Sequence, residues 1–259
     1  MLEIRRREFV ALLGGAAAWP LVARAQQRER VRRIGVLLSG DGGGFVPLTQ
    51  ALVDLGWTDG RNVRIDLRWA GGDINRMRAL ARELVGLQPE IIVTMPSTPA
   101  AVALQRETRT IPIVFANGGD PVASGIVARL DRPSGNITGF ALFEASLGSK
   151  WLDLLSEIAP GLKRAAIMFN PGTAPVSAYM PSFETAARSL KVELIIAPIL
   201  SNEIEAAIIA LGREPGGGLV VLPDPFTSVH RAPIISAAAR NNVPAVYYQS
   251  AYARLRSSR

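Results

Sequence analysis

Cysteine is absent from the 259 residues, and histidine occurs only once, as His230. Without cysteine the chain cannot form a disulfide framework, a thiol nucleophile, a thiolate metal site or a lipid-modified cysteine anchor. A single histidine gives a transition metal too few nitrogen ligands. We therefore expect neither a metal nor another cofactor.

Aromatic residues make up only 6% of the chain and charged residues 20%, whereas hydrophobic residues reach 48%. The core must therefore be built mainly from Ala, Val, Ile and Leu, as in buried parallel sheets. This composition favours an α/β fold.

The formal net charge is +7, but the basic residues do not form one stripe. They gather near the two ends of the chain, in 5–7, 28–33 and 254–259, and are scattered singly between them. A nucleic-acid site needs a continuous basic surface, so we expect no nucleic-acid partner.

The N-terminus has the plan of a secretory signal. Arg6-Arg7 precedes a short apolar run from Ala11 to Val22, and Ala23-Arg24-Ala25 follows as a small-x-small cleavage site. The run is too short to span a bilayer and is interrupted by Pro20. We expect residues 1–25 to be a signal peptide cleaved after Ala25, with the mature protein exported to the periplasm.

The export route remains open at this stage. Paired arginines followed by Phe9 resemble a twin-arginine signal, which transports folded proteins. An ordinary Sec signal also begins with positive charge.

From Arg33 onward, short apolar runs alternate with segments of helical period. We predict strands at 33–38, 63–69, 90–94, 111–115, 136–140, 165–169, 192–196, 218–222 and 243–248. We predict helices at 47–55, 75–87, 99–107, 148–158, 176–189, 203–211 and 230–240. Such βαβ repetition requires parallel sheets with helices on both faces. The pattern restarts after a crossing near 136–148, so we expect two Rossmann-like lobes, residues 31–145 and 146–259.

Four predicted strands end in a small polar residue that stands next to proline. These pairs are Ser97-Thr98-Pro99, Asp120-Pro121, Asn170-Pro171 and Asp224-Pro225. Each pair alone indicates only a helix start, with an N-cap and a proline in the first turn. In open parallel sheets, however, ligands bind beyond the carboxyl ends of the strands.

We therefore interpret these strand ends as a cleft that closes around a small solute. Tyr179 and Tyr247 lie near strand ends of the second lobe and are candidates to stack on a solute ring. The predicted ligand-binding residues are Ser97, Thr98, Asp120, Asn170, Tyr179 and Asp224.

Motifs for catalysis are weak. The glycines of 40–44 lack the spacing of a dinucleotide fingerprint and are not followed by Gly-Lys-Ser/Thr. Asp224, Ser228 and His230 would have to form a triad within one short loop, and no Gly-x-Ser-x-Gly elbow surrounds Ser228. We expect no enzymatic activity.

Five segments and the signal carry a resemblance to a known family. They include Leu55-Gly56-Trp57-Thr58-Asp59-Gly60-Arg61-Asn62-Val63, Ile111-Pro112-Ile113-Val114-Phe115, Asp120-Pro121-Val122-Ala123-Ser124-Gly125, Arg132-Pro133-Ser134-Gly135-Asn136-Ile137-Thr138-Gly139 and Leu222-Pro223-Asp224-Pro225-Phe226. The chain resembles the ABC transporter substrate-binding proteins that include tryptophan- and tyrosine-binding-like periplasmic proteins.

The resemblance implies the type 1 periplasmic binding protein fold and work with a membrane permease and a cytoplasmic ATPase. The implied ligand is an amino acid or an aromatic or carboxylate solute, bound by a monomer. Ser97 and Thr98 would hold a carboxylate, and Asp120 or Asp224 would meet an amino group.

The chain departs from this resemblance at its end. Relatives continue past Tyr248 with a strand, a helix and a return crossing, whereas here Gln249 to Arg259 stop. We therefore expect a truncated second lobe. Two alternatives to the solute receptor stay open: a nonfunctional truncation product and an exported α/β enzyme.

Overall fold

A computed structural model describes residues 31–40, 44–95, 97–122, 124–133, 135–174, 176–200, 203–250 and 252. The predicted signal peptide, most of the 40–44 loop and nearly all of the last eight residues lie outside this part of the chain. The strands are β1 (Arg32–Leu38), β2 (Val63–Trp69), β3 (Ile91–Met95), β4 (Ile113–Gly118), β5 (Ile137–Ala141), β6 (Arg164–Phe169), β7 (Glu193–Pro198), β8 (Gly217–Val221) and β9 (Ala245–Tyr247). The helices are α1 (Phe45–Asp54), α2 (Ile74–Gly86), α3 (Thr98–Glu107), α4 (Leu147–Ile158), α5 (Val176–Leu190), α6 (Ile204–Gly212), α7 (Pro225–Val229) and α8 (Arg231–Arg240).

The strands form two parallel sheets, with the orders β2-β1-β3-β4-β5 and β7-β6-β8-β9. β1 pairs with β3 from Ile34↔Ile91 to Leu38↔Met95, and β6 pairs with β8 from Arg164↔Gly217 to Met168↔Val221. The predicted α/β fold with two Rossmann-like lobes is thus confirmed.

The first lobe is built on an apolar central strand. Val36 and Leu37 of β1 are fully buried, as β-branched and leucine side chains are between two helical layers. On one face, α2 and α3 contribute Met77, Leu84 and Leu104 to the core. Because α2 follows β2 and α3 follows β3 in a parallel sheet, the N-termini of both helices lie at the carboxyl edge of that sheet.

The second lobe has a separate core on each face of its sheet. On one face α4 and α5 bury Trp151, Leu152 and Phe183, and on the other α6 and α8 bury Ile208 and Ile234. The rings of Trp151 and Phe183 lie 6.4 Å apart in a tilted arrangement. None of the helices in the described ranges is long and apolar enough to cross a membrane.

The predicted elements match the structure to within about two residues at most boundaries, with three local differences. The short helix α7 begins at the helix start that Asp224-Pro225 indicates, but no separate helix was predicted before 230. Asp120-Pro121 is followed by turns and not by a helix, and Asn170-Pro171 also opens a turn, with α5 beginning only at Val176. Of the four pairs, only those of Ser97 and Asp224 provide a helix N-cap, so the helix-start interpretation is wrong for the other two pairs.

Candidate functional site: the cleft between the two sheets

Each sheet reverses its strand order at one point, between β1 and β3 in the first lobe and between β6 and β8 in the second. The loops that leave adjacent strands at such a point diverge to opposite faces and open a crevice. Ser97 follows β3, Asn170 follows β6, and Asp224 follows β8. Three predicted site residues therefore lie at the crevices of the two sheets.

These two crevices face each other. A Cβ atom placed on Gly72, after β2, would lie 3.2 Å from the Cα of Phe226 on α7. A Cβ on Gly40, after β1, would lie 3.6 Å from the Cβ of Ser228. The lobes are thus in contact at both positions, and at Gly72 a side chain would crowd the backbone of Phe226, whereas the distance at Gly40 is an ordinary van der Waals contact. The indole Nε1 of Trp69 donates to the Gly40 carbonyl and fixes one side of this contact.

Ser97 and Thr98 organise the start of α3. The Oγ of Ser97 accepts from the backbone N of Ala100 at 3.0 Å, and Oγ1 of Thr98 accepts from the N of Gly119 at 2.9 Å. Both side chains are buried. Each hydroxyl therefore accepts one hydrogen bond and keeps a proton to donate to another group.

Asp224 joins three segments at the switch point of the second sheet. Its carboxylate accepts from Oγ1 of Thr173 at 2.5 Å, from the N of Asn170 at 2.7 Å and from the N of Phe226 at 2.8 Å. These bonds connect the end of β6 to the start of α7. Most of the acceptor capacity of this carboxylate is therefore used inside the protein.

Burial and hydrogen bonding have opposite effects on the pKa of Asp224. Its side chain is only 3% exposed, and burial raises its pKa to about 6, while the hydrogen bonds from Thr173, Asn170 and Phe226 pull the pKa down. Burial is the larger influence because it removes water from the charged form.

Asn170 is also held within the protein. Its side-chain amide donates to the carbonyl of Ile199 at 3.1 Å, and its Oδ1 accepts from the N of Gly172 at 2.8 Å. The residue shapes the loop after β6, which lies at the lobe interface.

Asp120 and Tyr179 approach each other from opposite lobes. Asp120 follows β4 and is half-buried, and its Oδ1 accepts from the N of Val122 at 2.9 Å. Tyr179 lies on α5 and is 1% exposed, and its hydroxyl has no hydrogen-bond partner in the part of the chain that the structure describes. Burial, with a further contribution from the negative charge of Asp120, raises the pKa of Tyr179 to about 12.

One cavity of about 230 Å³ lies between the lobes, and we call it the interlobe cavity. Of the predicted residues, Thr98 lines it. The lining residues are Ile74, Arg78, Thr98, Pro99, Val102, Ala103, Arg106, Ser124, Gly172, Thr173 and Ala174. Tyr247 lies elsewhere, in a groove along β9.

Sequence reasoning missed Arg78, Arg106 and Thr173. Arg78 stands one turn into α2, a position that faces the strand-end loops once α2 is placed after β2. The helical spacing alone could have indicated that Arg78 faces the strand-end loops. Only the packing of α2 beside α3, however, brings Arg78 and Arg106 to one cavity.

The residues considered for a triad are bound to other groups. Nδ1 of His230 bonds to the carbonyl of Phe226 at 2.9 Å, and Oγ of Ser228 bonds to the hydroxyl of Tyr248. Among the described residues, no side-chain hydrogen bond joins Asp224, Ser228 and His230 to one another; the backbone N of Ser228 donates to the Asp224 carbonyl at 3.0 Å as part of α7. Nor do three or more metal-ligating side chains cluster in the described ranges.

A family comparison agrees with this architecture. Residues 41–254 match the family of ABC transporter substrate binding proteins. The chain belongs to this family. The predicted resemblance is thereby confirmed.

A curated relative of this substrate-binding protein is the tyrosine-binding protein of Clostridioides difficile strain R20291, which is 28% identical over 200 residues. The match covers 77% of this chain and 56% of the relative, so the chain spans little more than half of that protein's length.

Two solved structures are similar. A conserved domain protein of Vibrio cholerae O1 biovar eltor is 26% identical with a TM-score of 0.77. An ABC domain of Streptococcus pneumonia in complex with L-Trp is 20% identical with a TM-score of 0.76 and supports the fold alone. Each match covers 87% of this chain and 76% of the other.

Proposed function

We propose that this chain is the periplasmic solute-binding component of an ABC uptake transporter and binds an amino acid or an aromatic carboxylate between its lobes. The observation that carries the proposal is the close approach of the two sheets at their carboxyl edges, seen at Gly40 and Ser228 and at Gly72 and Phe226. Such a cleft encloses most of a small solute's surface. The similarity to a tyrosine-binding protein favours an aromatic amino acid.

Within this proposal, the predicted site residues have distinct tasks. The hydroxyls of Ser97 and Thr98 donate toward a solute carboxylate, since each keeps a proton after accepting one backbone bond. Asp120 meets the solute amino group, because it is less buried than Asp224 and Asp224 is engaged by three internal donors. Tyr179 presents its hydroxyl to the solute, and Asn170 and Asp224 shape the wall.

The signal peptide of residues 1–25 directs export, and the two lobes, 31–145 and 146–259, work as a monomer that delivers solute to an inner-membrane permease. The protein performs no catalysis, because transport by such a receptor requires only capture and release.

The experiment is a calorimetric titration of the mature chain beginning at Gln26 with L-tyrosine, L-tryptophan and L-lysine. We expect saturable binding of an aromatic amino acid and none of L-lysine, with a matching rise in melting temperature since only the folded state binds. Absence of binding by both aromatic amino acids would contradict this solute class.

Variants locate the site in the same titration. Asp120→Asn should weaken affinity for the amino acid by about 1 to 3 kcal/mol, because a charged amino group loses its partner. His230→Ala serves as the control and should leave affinity unchanged. The opposite order of effects would refute the assigned cleft.

A further inference from the structure

The interlobe cavity is lined by two arginines that pair with no acidic side chain in the part of the chain that the structure describes. Arg78 of α2 and Arg106 of α3 both line it, and both are exposed. Within the described ranges neither forms an ion pair or a hydrogen bond, unlike Arg68, which pairs with Glu83 at 2.6 Å. None of the described lining residues is Asp or Glu.

Of the three hydroxyl side chains that line the cavity, two donate to other groups of the protein. Ser124 donates to the carbonyl of Asp120 at 2.7 Å, and Thr173 donates to Asp224 at 2.5 Å. Thr98 only accepts, from Gly119, so its proton is available. The spare hydrogen-bonding groups of the cavity are therefore mainly donors, namely Thr98 and two guanidinium groups.

The rest of the lining is apolar. Ile74, Val102 and Ala103 come from the first lobe and Ala174 from the second. A ligand suited to this cavity has an apolar body and one anionic group that accepts several hydrogen bonds. A carboxylate matches the planar guanidinium fork, which binds it with two parallel N–H···O bonds.

We propose that the interlobe cavity selects solutes with a carboxylate and that Arg78 and Arg106, together with Thr98, bind that group as the lobes close. This inference rests on the proposed function and adds the residues that determine its specificity. Because the lining comes from both lobes, a bound carboxylate also stabilises the closed arrangement.

The test compares ligands that differ in the carboxylate. Calorimetry is performed with L-tyrosine, with tyramine, which lacks the carboxylate, and with 4-hydroxyphenylacetate, which lacks the amino group. The variants are Arg78→Gln, Arg106→Gln and their combination. Arg82→Gln is the matched control, since Arg82 is an exposed arginine on the same helix that does not line the cavity.

We expect the double variant to lose about tenfold or more in affinity for both carboxylate ligands, as the removal of charge-assisted hydrogen bonds implies. Its affinity for tyramine should not change, and Arg82→Gln should behave as the parent. Circular dichroism and urea denaturation verify that the variants fold.

Three results separate this inference from the proposed function. If L-tyrosine binds and the double variant keeps the preference over tyramine, the arginine assignment is wrong while the function stands. If only 4-hydroxyphenylacetate binds, and binding is lost in the double variant, the carboxylate site stands while the amino-acid class fails. If neither carboxylate binds the parent protein, the inference is overturned.

Discussion

Asp224 connects the ends of β6 and β8 through a carboxylate whose pKa lies near 6. The ionised form accepts three hydrogen bonds, yet burial makes ionisation unfavourable relative to the unfolded chain, where the pKa is 3.8. The folded state therefore binds more protons than the unfolded state between these two values.

This balance predicts the pH dependence of stability. The contribution of Asp224 is fully present below pH 3.8 and is lost as the pH rises through about 6. The shift of roughly two units corresponds to at most about 3 kcal/mol. Urea denaturation between pH 4 and 7 should therefore show that the unfolding free energy of the parent falls relative to that of Asp224→Asn as the pH rises. A constant difference across that range would contradict the raised pKa.

The hydroxyl of Tyr179 should reduce stability in the absence of solute. This buried hydroxyl lacks a partner among the described residues, so Tyr179→Phe should raise the unfolding free energy by about 1 kcal/mol in the absence of solute. Tyr248→Phe is the contrasting control, because its hydroxyl bonds to Ser228 and its loss should destabilise the fold. Equal destabilisation by both variants would contradict the unpaired Tyr179 hydroxyl.

At the scale of elements, the loops between strands and helices decide how closely the lobes approach. Gly71 and Gly72 both have positive φ, at 64° and 81°, but differ in their surroundings. A Cβ on Gly71 meets no atom within 4 Å, whereas one on Gly72 meets the backbone of Phe226 in the other lobe. The two glycines therefore allow backbone strain to be separated from lobe contact.

We expect Gly71→Ala and Gly72→Ala to lose similar stability, about 1 kcal/mol, because both place alanine at positive φ. Only Gly72→Ala should also widen the closed arrangement, which small-angle scattering with saturating solute would detect as a larger radius of gyration. Equal radii for the two variants would show that this contact does not set closure.

Sequence patterns predicted the long elements well and the short ones poorly. The alternation of apolar runs predicted β1 to β8 to within three residues at each end, because a buried strand has a distinct composition. The Asp224-Pro225 pair indicated the start of α7, but its five residues are too few to show a helical period, so no helix was predicted there. Asp120 caps a turn that ends at Gly125 with φ 69°, and that turn takes the place of the helix expected from Asp-Pro.

For the candidate site too, local sequence patterns predicted position along the chain but not long-range contacts. Chain order places Ser97, Asn170 and Asp224 at strand ends, because parallel strands share one carboxyl edge. The bond from Thr173 to Asp224 was not predictable, since its two residues are 51 positions apart in sequence. Nor was the shared cavity of Arg78 and Arg106, which depends on the packing of two helices.

At the scale of the whole molecule, one edge of the second sheet ends in an apolar groove. β9 is the edge strand, and Ile158, Ile235, Val243, Tyr247 and Tyr252 line a groove of about 630 Å³ beside it. Ile158 is 57% exposed. Apolar patches next to an edge strand promote association between chains.

We expect the purified chain to bind a hydrophobic fluorescent dye at this groove. Ile158→Glu should reduce dye binding and self-association without loss of stability, because the side chain already faces water. Leu130→Glu is the control, as Leu130 is 67% exposed but lies outside the groove. An equal reduction by both variants, measured by dye titration and sedimentation velocity, would assign the effect to net charge.

The bond from Trp69 to the Gly40 carbonyl gives the protein an optical consequence. Trp69 is 52% exposed, and its indole N–H donates to a carbonyl at the point where the first lobe meets Ser228 of the second. Indole emission depends on local polarity and hydrogen bonding, so opening and closing should shift the emission maximum of this one tryptophan. Replacement of Trp69 by phenylalanine should abolish the solute-dependent shift and leave only the constant emission of Trp57 and Trp151. In the parent protein, the emission of Trp69 would then measure how much of the cleft is occupied.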